Sequence, residues 1–230
     1  MESSLIAQLT YGVASRMGKV AGRIATCVMF LTTPVMAEEV TVLALGDSLT
    51  QGFGLPEADG FVPQLQRWLD DQGVEAQLIN GGVSGDTTAG GAARVAWSLT
   101  PEVDAMIVTL GGNDMLRGLD PTEARANVAK ILQVADAQDV TVLLVGMQAP
   151  GNYGQDYKQA FDSLYPDLAA IYETLFFENF FSGLGSDDPA DLRPFFQADG
   201  IHPNANGVAR IVESLGPSVI TLVQSSSEQD

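Results

Sequence analysis

A serine, the only histidine and a nearby aspartate could together carry out nucleophilic catalysis in this chain. Ser48 lies in the motif Gly-Asp-Ser-Leu at residues 46–49, and Asp199 and His202 lie in the motif Asp-Gly-Ile-His-Pro-Asn at residues 199–204. A serine hydroxyl is a poor nucleophile unless an adjacent base accepts its proton, and that base needs an acid to orient it. Ser48, His202 and Asp199 are therefore the parts of a triad.

Taken singly, each motif also has an ordinary structural interpretation. A Gly-Asp-Ser sequence is often only a turn, the motif Gly-Gly-Asn-Asp at residues 111–114 is compatible with a capped helix start, and an aspartate three residues before a histidine is often a surface pair. Glycine-rich loops can also bind phosphate, but the patterns GxxxxGK[ST] and GxGxxG are absent from the sequence. The combination of these motifs favours catalysis.

Composition narrows the chemistry further. One cysteine and one histidine in 230 residues leave no internal disulfide, zinc–thiolate cluster or histidine-rich metal site. The chain has 11 Lys and Arg against 29 Asp and Glu, a net charge of −18, so most of its surface would repel nucleic acid or an anionic membrane. The composition therefore predicts chemistry by oxygen nucleophiles and carboxylates, with no metal, no cofactor and no nucleic-acid partner.

Short apolar runs that alternate with helical stretches predict the framework. The runs are rich in β-branched residues and nearly uninterrupted, as expected of strands buried on both faces of a parallel sheet. The predicted strands are residues 40–45, 76–79, 105–110, 141–145 and, with a weaker signal, 175–177. Between them apolar residues recur with a period near 3.6, which is typical of helices. We therefore predict an α/β fold, a three-layer αβα sandwich with a five-stranded parallel sheet.

The unusual polar residues lie in the loops of this framework. Ser48 directly follows the first predicted strand, residues 80–87 follow the second, and residues 111–114 follow the third. Residues 199–204 precede the last predicted helix. Because ligands of such sheets bind beyond the carboxyl ends of the strands, we expect these four loops to meet and to form an active site.

With these motifs the chain resembles the SGNH (GDSL-type) hydrolases, in particular bacterial periplasmic multifunctional esterases of the thioesterase, lysophospholipase and arylesterase type. The resemblance covers nearly all of the chain after residue 37, from LALGDSLTQGFGL through NGGVSGDTTAGGAARV and TLGGNDMLRGL to APGNYG, YPDLA and ADGIHPN. It implies the flavodoxin-like SGNH hydrolase fold. It also implies that Ser48 is the nucleophile, His202 the base and Asp199 the acid that orients it.

The same resemblance implies an oxyanion hole formed by the backbone N–H groups of Ser48 and Gly85 and the side-chain amide of Asn113. A tetrahedral intermediate needs two or three preorganised donors, and glycine allows close approach of the backbone while asparagine supplies an N–H donor. Asp47 and Asp86, by contrast, are interpreted as residues that hold turns through side-chain to backbone hydrogen bonds.

Apolar side chains in the neighbouring loops predict a pocket for the acyl group. Its expected lining residues are Met115, Leu116, Met147, Ala149 and Tyr153. Ala149 stands where members of the family often carry a bulkier aliphatic residue, so the preferred acyl length stays open. Since no insertion is long enough to form a lid, we expect a shallow, open pocket with walls from the loop after Asn113 and from residues 147–157.

We predict a serine esterase that acts on small-molecule carboxylic esters through an acyl-enzyme, with a monomer favoured. Aryl and alkyl esters, acyl thioesters and lysophospholipids are all candidate substrates. Two alternatives stay open: a carbohydrate O-deacetylase, which aromatic residues along an extended groove would favour, and an inactive binding protein on the same scaffold. The complete set of catalytic residue types argues against a binding protein, which has no use for an activated nucleophile.

The first 37 residues predict an export signal. Three basic residues precede an apolar run at residues 24–31, and small residues flank the expected cleavage position after Ala37. The run is too short to span a membrane, so we expect a periplasmic or secreted protein with no stable membrane insertion after cleavage. Translation could begin at Met1 or at Met17. The predicted segments are a signal peptide at residues 1–37, an SGNH hydrolase domain at 38–224 and a polar tail at 225–230.

Overall fold

A five-stranded parallel sheet organises the structure. The computed structural model describes residues 39–185 and 189–228, so the whole of the expected signal peptide, residues 186–188 and the last two residues lie outside the described part. The strands are β1 (Val40–Gly46), β2 (Ala76–Gly82), β3 (Ala105–Thr109), β4 (Thr141–Val145) and β5 (Leu175–Phe177). Their order in the sheet is β2-β1-β3-β4-β5, and each neighbouring pair is parallel.

Helices cover both faces of this sheet. The helices are α1 (Ser48–Gln51), α2 (Phe61–Asp71), α3 (Thr88–Ser98), α4 (Gly112–Leu116), α5 (Pro121–Asp136), α6 (Gln155–Ile171), α7 (Pro189–Leu192) and α8 (Ala205–Ser227). Helices α2 and α8 pack together in one layer, and α3, α5 and α6 pack side by side in the other. The predicted three-layer αβα sandwich is confirmed.

The strands follow the predicted apolar runs because burial on both faces requires them to be apolar throughout. All five residues of β3 are buried, as are four of the five residues of β4. The edge strand β2 differs, since it is mostly accessible and runs to Gly82, three residues beyond its predicted end. The additional residues pair with the end of β1, where Gly82 aligns with Gly46.

The last helix corrects the predicted polar tail. Helix α8 runs to Ser227, so the first three residues of the expected tail belong to the helix. Ser226 is buried and its hydroxyl donates a hydrogen bond to the backbone oxygen of Asp104. Local composition gave no sign of this contact because its two residues are far apart in sequence. No helix within residues 39–185 and 189–228 combines the length and apolarity that crossing a membrane requires.

A close approach of backbone to backbone brings the first turn of α1 to the end of β2. A Cβ atom added to Gly82 would overlap the backbone nitrogen of Gln51, in α1. Only glycine fits between the two elements, because a clash with backbone cannot be relieved by a side-chain rotation. Gly82 thus fixes where α1, and with it Ser48, lies relative to the sheet.

Gly82→Ala is expected to lower the free energy of unfolding by about 1–3 kcal/mol, because the extra methyl group forces α1 away from β2. Urea denaturation followed by circular dichroism measures the change. Gly151→Ala is the matched control, since no atom lies within 4 Å of a Cβ added there. The control should stay within about 0.5 kcal/mol of wild type, and equal stabilities for the two variants would contradict the packing argument.

Candidate active site

Ser48 lies at the carboxyl end of the interior strand β1, where the chain turns directly into α1. Asp47 caps this helix, because its Oδ1 accepts a hydrogen bond from the backbone N–H of Leu49 at 2.9 Å. The helix ends after one turn at Gly52, whose left-handed backbone (φ 88°) reverses the chain. The Ser48 side chain is therefore held at the sheet edge, with 9% of the residue exposed.

Ser48, His202 and Asp199, which the sequence predicts as a triad, are joined by hydrogen bonds. His202 Nε2 lies 2.9 Å from Ser48 Oγ, and His202 Nδ1 lies 2.7 Å from Asp199 Oδ2. An ionised carboxylate only accepts hydrogen bonds, so Nδ1 donates to Asp199 and Nε2 is left to accept the serine proton. The arrangement is that of a hydroxyl, a base and an orienting acid in series.

Asp199 stays ionised because several donors converge on its carboxylate. Oδ2 accepts the bond from His202, and Oδ1 accepts the backbone N–H groups of Ile201 at 2.9 Å and His202 at 3.0 Å. These bonds, the side-chain bond from His202 first, lower the pKa of Asp199 from 3.8 to about 2. On its other side, the imidazole lies against the ring of Phe53, with 4.6 Å between centroids.

Asn113, the expected side-chain donor of the oxyanion hole, lies in α4. Its Nδ2 donates a hydrogen bond to Asp47 Oδ2 at 3.1 Å. Asp47 is thus more than the turn-holding residue of the sequence interpretation, since its two oxygens serve α1 and Asn113 separately. Burial raises the pKa of Asp47 from 3.8 to about 6, and the hydrogen bonds from Leu49 and Asn113 offset part of that rise.

Gly85, the expected backbone donor, occupies an exposed turn after β2 with a left-handed φ of 82°. Arg117, which immediately follows α4, donates from Nη2 to the Gly85 carbonyl at 2.8 Å. The next residue, Asp86, forms an ion pair with Arg94 at 2.7 Å, and Arg94 also donates to the Gly46 carbonyl at 2.8 Å. Asp86 therefore anchors its loop through an arginine, not through the backbone bonds expected from sequence.

The second acidic residue of the Gly-Gly-Asn-Asp motif ties α4 to α3. Asp114 is buried and accepts two hydrogen bonds from Thr88, from the backbone N–H at 2.8 Å and from the hydroxyl at 2.6 Å. Asn127 of α5 donates to the same hydroxyl at 3.1 Å. The motif thus begins a short helix, which is one of the two interpretations of its sequence. Through Asp114 it also fixes the position of Asn113 relative to α3.

A cavity of about 380 Å³ opens at Ser48. Its lining includes three of the five predicted acyl-pocket residues, Met115, Leu116 and Met147. The remaining lining residues are Asp47, Ser48, Leu49, Gly112, Asn113, Phe181, Phe196, Gly200, Ile201 and His202. Most of the lining surface is apolar, and the polar side chains of the lining include Asp47, Ser48, Asn113 and His202.

Ala149 and Tyr153, also predicted as pocket residues, lie outside this cavity. Ala149 is buried, its N–H donates to Asp162 at 2.7 Å, and it lines a separate groove behind Phe181 and Phe196. The Tyr153 hydroxyl donates to the backbone oxygen of Leu116 at 3.3 Å, so this residue contacts the cavity wall from outside. The predicted second wall was residues 147–157, the loop after β4. Of these residues only Met147 lines the cavity.

The wall that sequence reasoning missed comes from the chain between β5 and α8. Phe181, Phe196 and Ile201 line the cavity from this side, and the rings of Phe181 and Phe196 lie 5.8 Å apart. The sequence of this segment has no helical or strand periodicity, and periodicity therefore does not predict that it forms a wall. Its signal was composition, with four phenylalanines between β5 and α8, at positions 180, 181, 195 and 196. The cavity therefore has a further wall, which the sequence analysis did not predict.

Comparison with known proteins shows what the chain is similar to. Residues 44–210 match the GDSL-like Lipase/Acylhydrolase family. Esterase TesA of Pseudomonas aeruginosa is 37% identical over 198 residues, which are 86% of this chain and 96% of that protein. Thioesterase 1/protease 1/lysophospholipase L1 of Escherichia coli strain K12 is 32% identical over 190 residues, 81% of this chain and 86% of that protein.

A solved structure extends the similarity to three dimensions. The crystal structure of AlinE4, an SGNH-hydrolase family esterase, aligns with a TM-score of 0.66 and 38% identity, over 81% of this chain and 97% of that one. The resemblance inferred from the sequence motifs is confirmed. The matched region spans the nucleophile turn, both loops that follow β2 and β3, and the histidine motif. The chain therefore belongs to the GDSL-like Lipase/Acylhydrolase family.

Proposed function

We propose that this protein hydrolyses carboxylic esters of small molecules through an acyl-enzyme formed on Ser48. As a member of its family it is a carboxylic ester hydrolase, and TesA and AlinE4 are both named esterases. The observation that carries the assignment of residues is the continuous series of hydrogen bonds from Ser48 through His202 to Asp199, at the mouth of an apolar cavity.

In the acylation step, Ser48 Oγ attacks the ester carbonyl carbon while His202 Nε2 takes up the hydroxyl proton. Asp199 stabilises the resulting imidazolium without itself becoming protonated. When the tetrahedral intermediate collapses, the bond to the leaving oxygen breaks and His202 donates its proton to the departing alcohol. The acyl group then remains esterified to Ser48.

Deacylation follows the same chemical steps with water as the nucleophile. His202 accepts a proton as water attacks the acyl carbon, and the second tetrahedral intermediate expels Ser48 Oγ, which regains the proton. The carboxylic acid leaves. Both intermediates carry a negative oxygen, for which we propose three donors: the backbone N–H groups of Ser48 and Gly85 and the amide of Asn113.

The acyl chain of the substrate is proposed to occupy the cavity at Ser48. Met115, Leu116 and Met147, predicted from sequence, line it together with Phe181 and Phe196. Methionine side chains are adaptable and suit acyl chains of different shapes. The relative named as a thioesterase and lysophospholipase makes acyl thioesters and lysophospholipids further candidate substrates beside simple esters.

We further propose that residues 1–37 are removed on export to the periplasm or the exterior and that the hydrolase domain begins at residue 38. The support is the pattern of a basic region, an apolar run and small residues around Ala37. Amino-terminal sequencing of the protein purified from its producing cells tests this. A chain that retains the first 37 residues in the mature protein would contradict it.

Ser48→Ala is expected to lower kcat on p-nitrophenyl esters by roughly 10⁴- to 10⁶-fold, because triad members act as a unit. A fluorophosphonate probe should label the wild type and not this variant. Ser163→Ala, a substitution on α6 outside the lining of the Ser48 cavity, is the control and should be labelled like wild type. Turnover by a folded S48A variant within tenfold of wild type would overturn the mechanism.

The pH dependence distinguishes the two partners of the triad. Activity should fall in acid, because only a neutral imidazole can accept the proton of Ser48. The pKa of Asp199 is lowered to about 2. Its carboxylate therefore stays ionised above pH 4 and adds no inflection to the profile there. Asp199→Asn should lower kcat by roughly 10²- to 10⁴-fold. If the wild-type kcat/KM profile shows an additional inflection above pH 4 and D199N abolishes it, the assignment of Asp199 as an ionised acid is contradicted.

Chain-length preference tests the cavity itself. Wild-type kcat/KM on p-nitrophenyl esters should peak at short to medium acyl chains, because Phe181 and Phe196 separate the cavity from the groove behind them. Phe196→Ala should join the two spaces and move the optimum to longer chains, with up to about 0.8 kcal/mol gained for each methylene newly buried. Tyr153→Ala, outside the cavity, should leave the optimum unchanged. An unchanged optimum in F196A would show that the acyl chain binds elsewhere.

A further inference from the structure

We propose that Asp47 is a positioning residue, which determines the end of the Asn113 amide that faces the Ser48 cavity and so prepares the oxyanion hole. The inference rests on the proposed function, in which the Asn113 amide donates to the oxyanion. It assigns a purpose to a buried carboxylate that lies beside the nucleophile and takes no part in the triad.

The geometry leaves Asn113 one orientation. Asp47 Oδ2 lies 3.1 Å from Asn113 Nδ2, and an ionised carboxylate can only accept hydrogen bonds. An asparagine amide has a donating end and an accepting end of nearly the same shape. Since Asn113 must present its NH₂ group to Asp47, the bond to Asp47 uses one N–H of that group and leaves the second for the proposed oxyanion, in a cavity that both residues line.

Capping of α1 does not account for this carboxylate. The cap uses only Oδ1, which accepts from Leu49, whereas Oδ2 serves a side chain 66 residues away. Serine, threonine or asparagine would cap a helix about as well as aspartate. What those neutral residues would not supply is a second oxygen that accepts hydrogen bonds and never donates them.

The surroundings of Asp47 disfavour the ionised form of its carboxyl group. Asp47 is only 1% exposed, and among the described residues no lysine or arginine forms an ion pair with it. The neighbouring cation Arg94 is engaged by Asp86 and Gly46. Burial and the charge of Asp86 raise the pKa of Asp47 to about 6, and a charged His202 would lower it. An ionised group kept at such a cost is typical of a functional position.

Loss of the charge should therefore loosen the oxyanion hole. A protonated Asp47 carries a donor as well as acceptors, and so does an asparagine in its place. Either one can bind the carbonyl end of Asn113, which lets the amide reverse and present its oxygen to the cavity. The developing oxyanion would then meet a lone pair in place of an N–H.

The test is a double-mutant cycle of Asp47→Asn and Asn113→Ala on p-nitrophenyl esters. N113A should lower kcat roughly 10²- to 10³-fold with KM little changed, because the donor acts on charge that develops only in the transition state. D47N should lower kcat by about 10- to 100-fold, again with KM little changed. Because Asp47 acts through Asn113, the double variant should be no slower than N113A alone.

Asp104→Asn is the matched control, since Asp104 also accepts a backbone N–H, that of Thr41 at 2.7 Å, but at the opposite edge of the sheet. It should leave kcat within about twofold of wild type, as expected of a residue far from the site. Thermal melting supplies a readout that separates positioning from structure. D47N keeps the cap oxygen and removes a buried charge, so at pH 8 it should melt at or above the wild-type temperature, and the difference should shrink below about pH 6, where wild-type Asp47 is itself protonated.

The outcomes separate the two levels of the argument. A wild-type kcat in N113A would remove Asn113 from the oxyanion hole and overturn the proposed donor set together with this inference. A slow N113A beside a wild-type D47N would overturn only the role of Asp47, and so would a double variant slowed by the product of the single effects. A D47N protein that fails to fold, or melts well below wild type at pH 8, would make Asp47 a purely structural residue.

Discussion

The carboxyl end of β1 is the point on which the site depends. The chain leaves the sheet at Gly46 and enters α1 two residues later, between β2 and β3. The Gly46 carbonyl accepts hydrogen bonds from the Val83 N–H and from Arg94, and a Cβ added to Gly46 would meet the Thr109 carbonyl at 2.9 Å. The turn that carries Ser48 is therefore fixed by strands on both sides, and the loops that follow those strands must meet it.

Hydrogen bonds of charged side chains hold these loops in register. Arg94 binds the Asp86 loop to β1, Arg117 binds the Gly85 carbonyl to the end of α4, and Asp114 binds α4 to Thr88. The bonds of Arg117 and Asp114 join the segment after β3 to the segment after β2, and Arg94 also donates to Gly46 at the end of β1. The segments that carry the proposed oxyanion donors therefore hold one another in position. Partly buried charges of this kind add little net stability but define one geometry, which is what a catalytic site requires of its surroundings.

The features that could be predicted from sequence are those with a periodic pattern, such as strands and helices, and those marked by a rare residue type. Uninterrupted apolar runs marked the five strands, and the single histidine singled out its motif. Sequence reasoning did not find Arg94, Phe181 or Phe196, because their positions depend on contacts between segments far apart in the chain and follow no period. The polar tail was misassigned for the same reason, since the burial of Ser226 depends on Asp104. Local patterns thus predicted the framework, while the walls of the cavity required the folded chain.

Asp199 and Asp47 lie near the same serine, but their surroundings shift their pKa values in opposite directions. Asp199 is largely accessible and its carboxylate collects an imidazole and two backbone donors, which together bring its pKa to about 2. Asp47 is enclosed, and burial outweighs its two hydrogen bonds, so its pKa rises to about 6. The pKa of one aspartate is thereby lowered and that of the other raised within a single cluster of residues. The accessible carboxylate can orient the base at any working pH, whereas the enclosed one remains a pure acceptor only while the solution is near neutral or above. Under the proposed mechanism, Asp47 is therefore the group whose protonation in mild acid would weaken the donor set for the oxyanion.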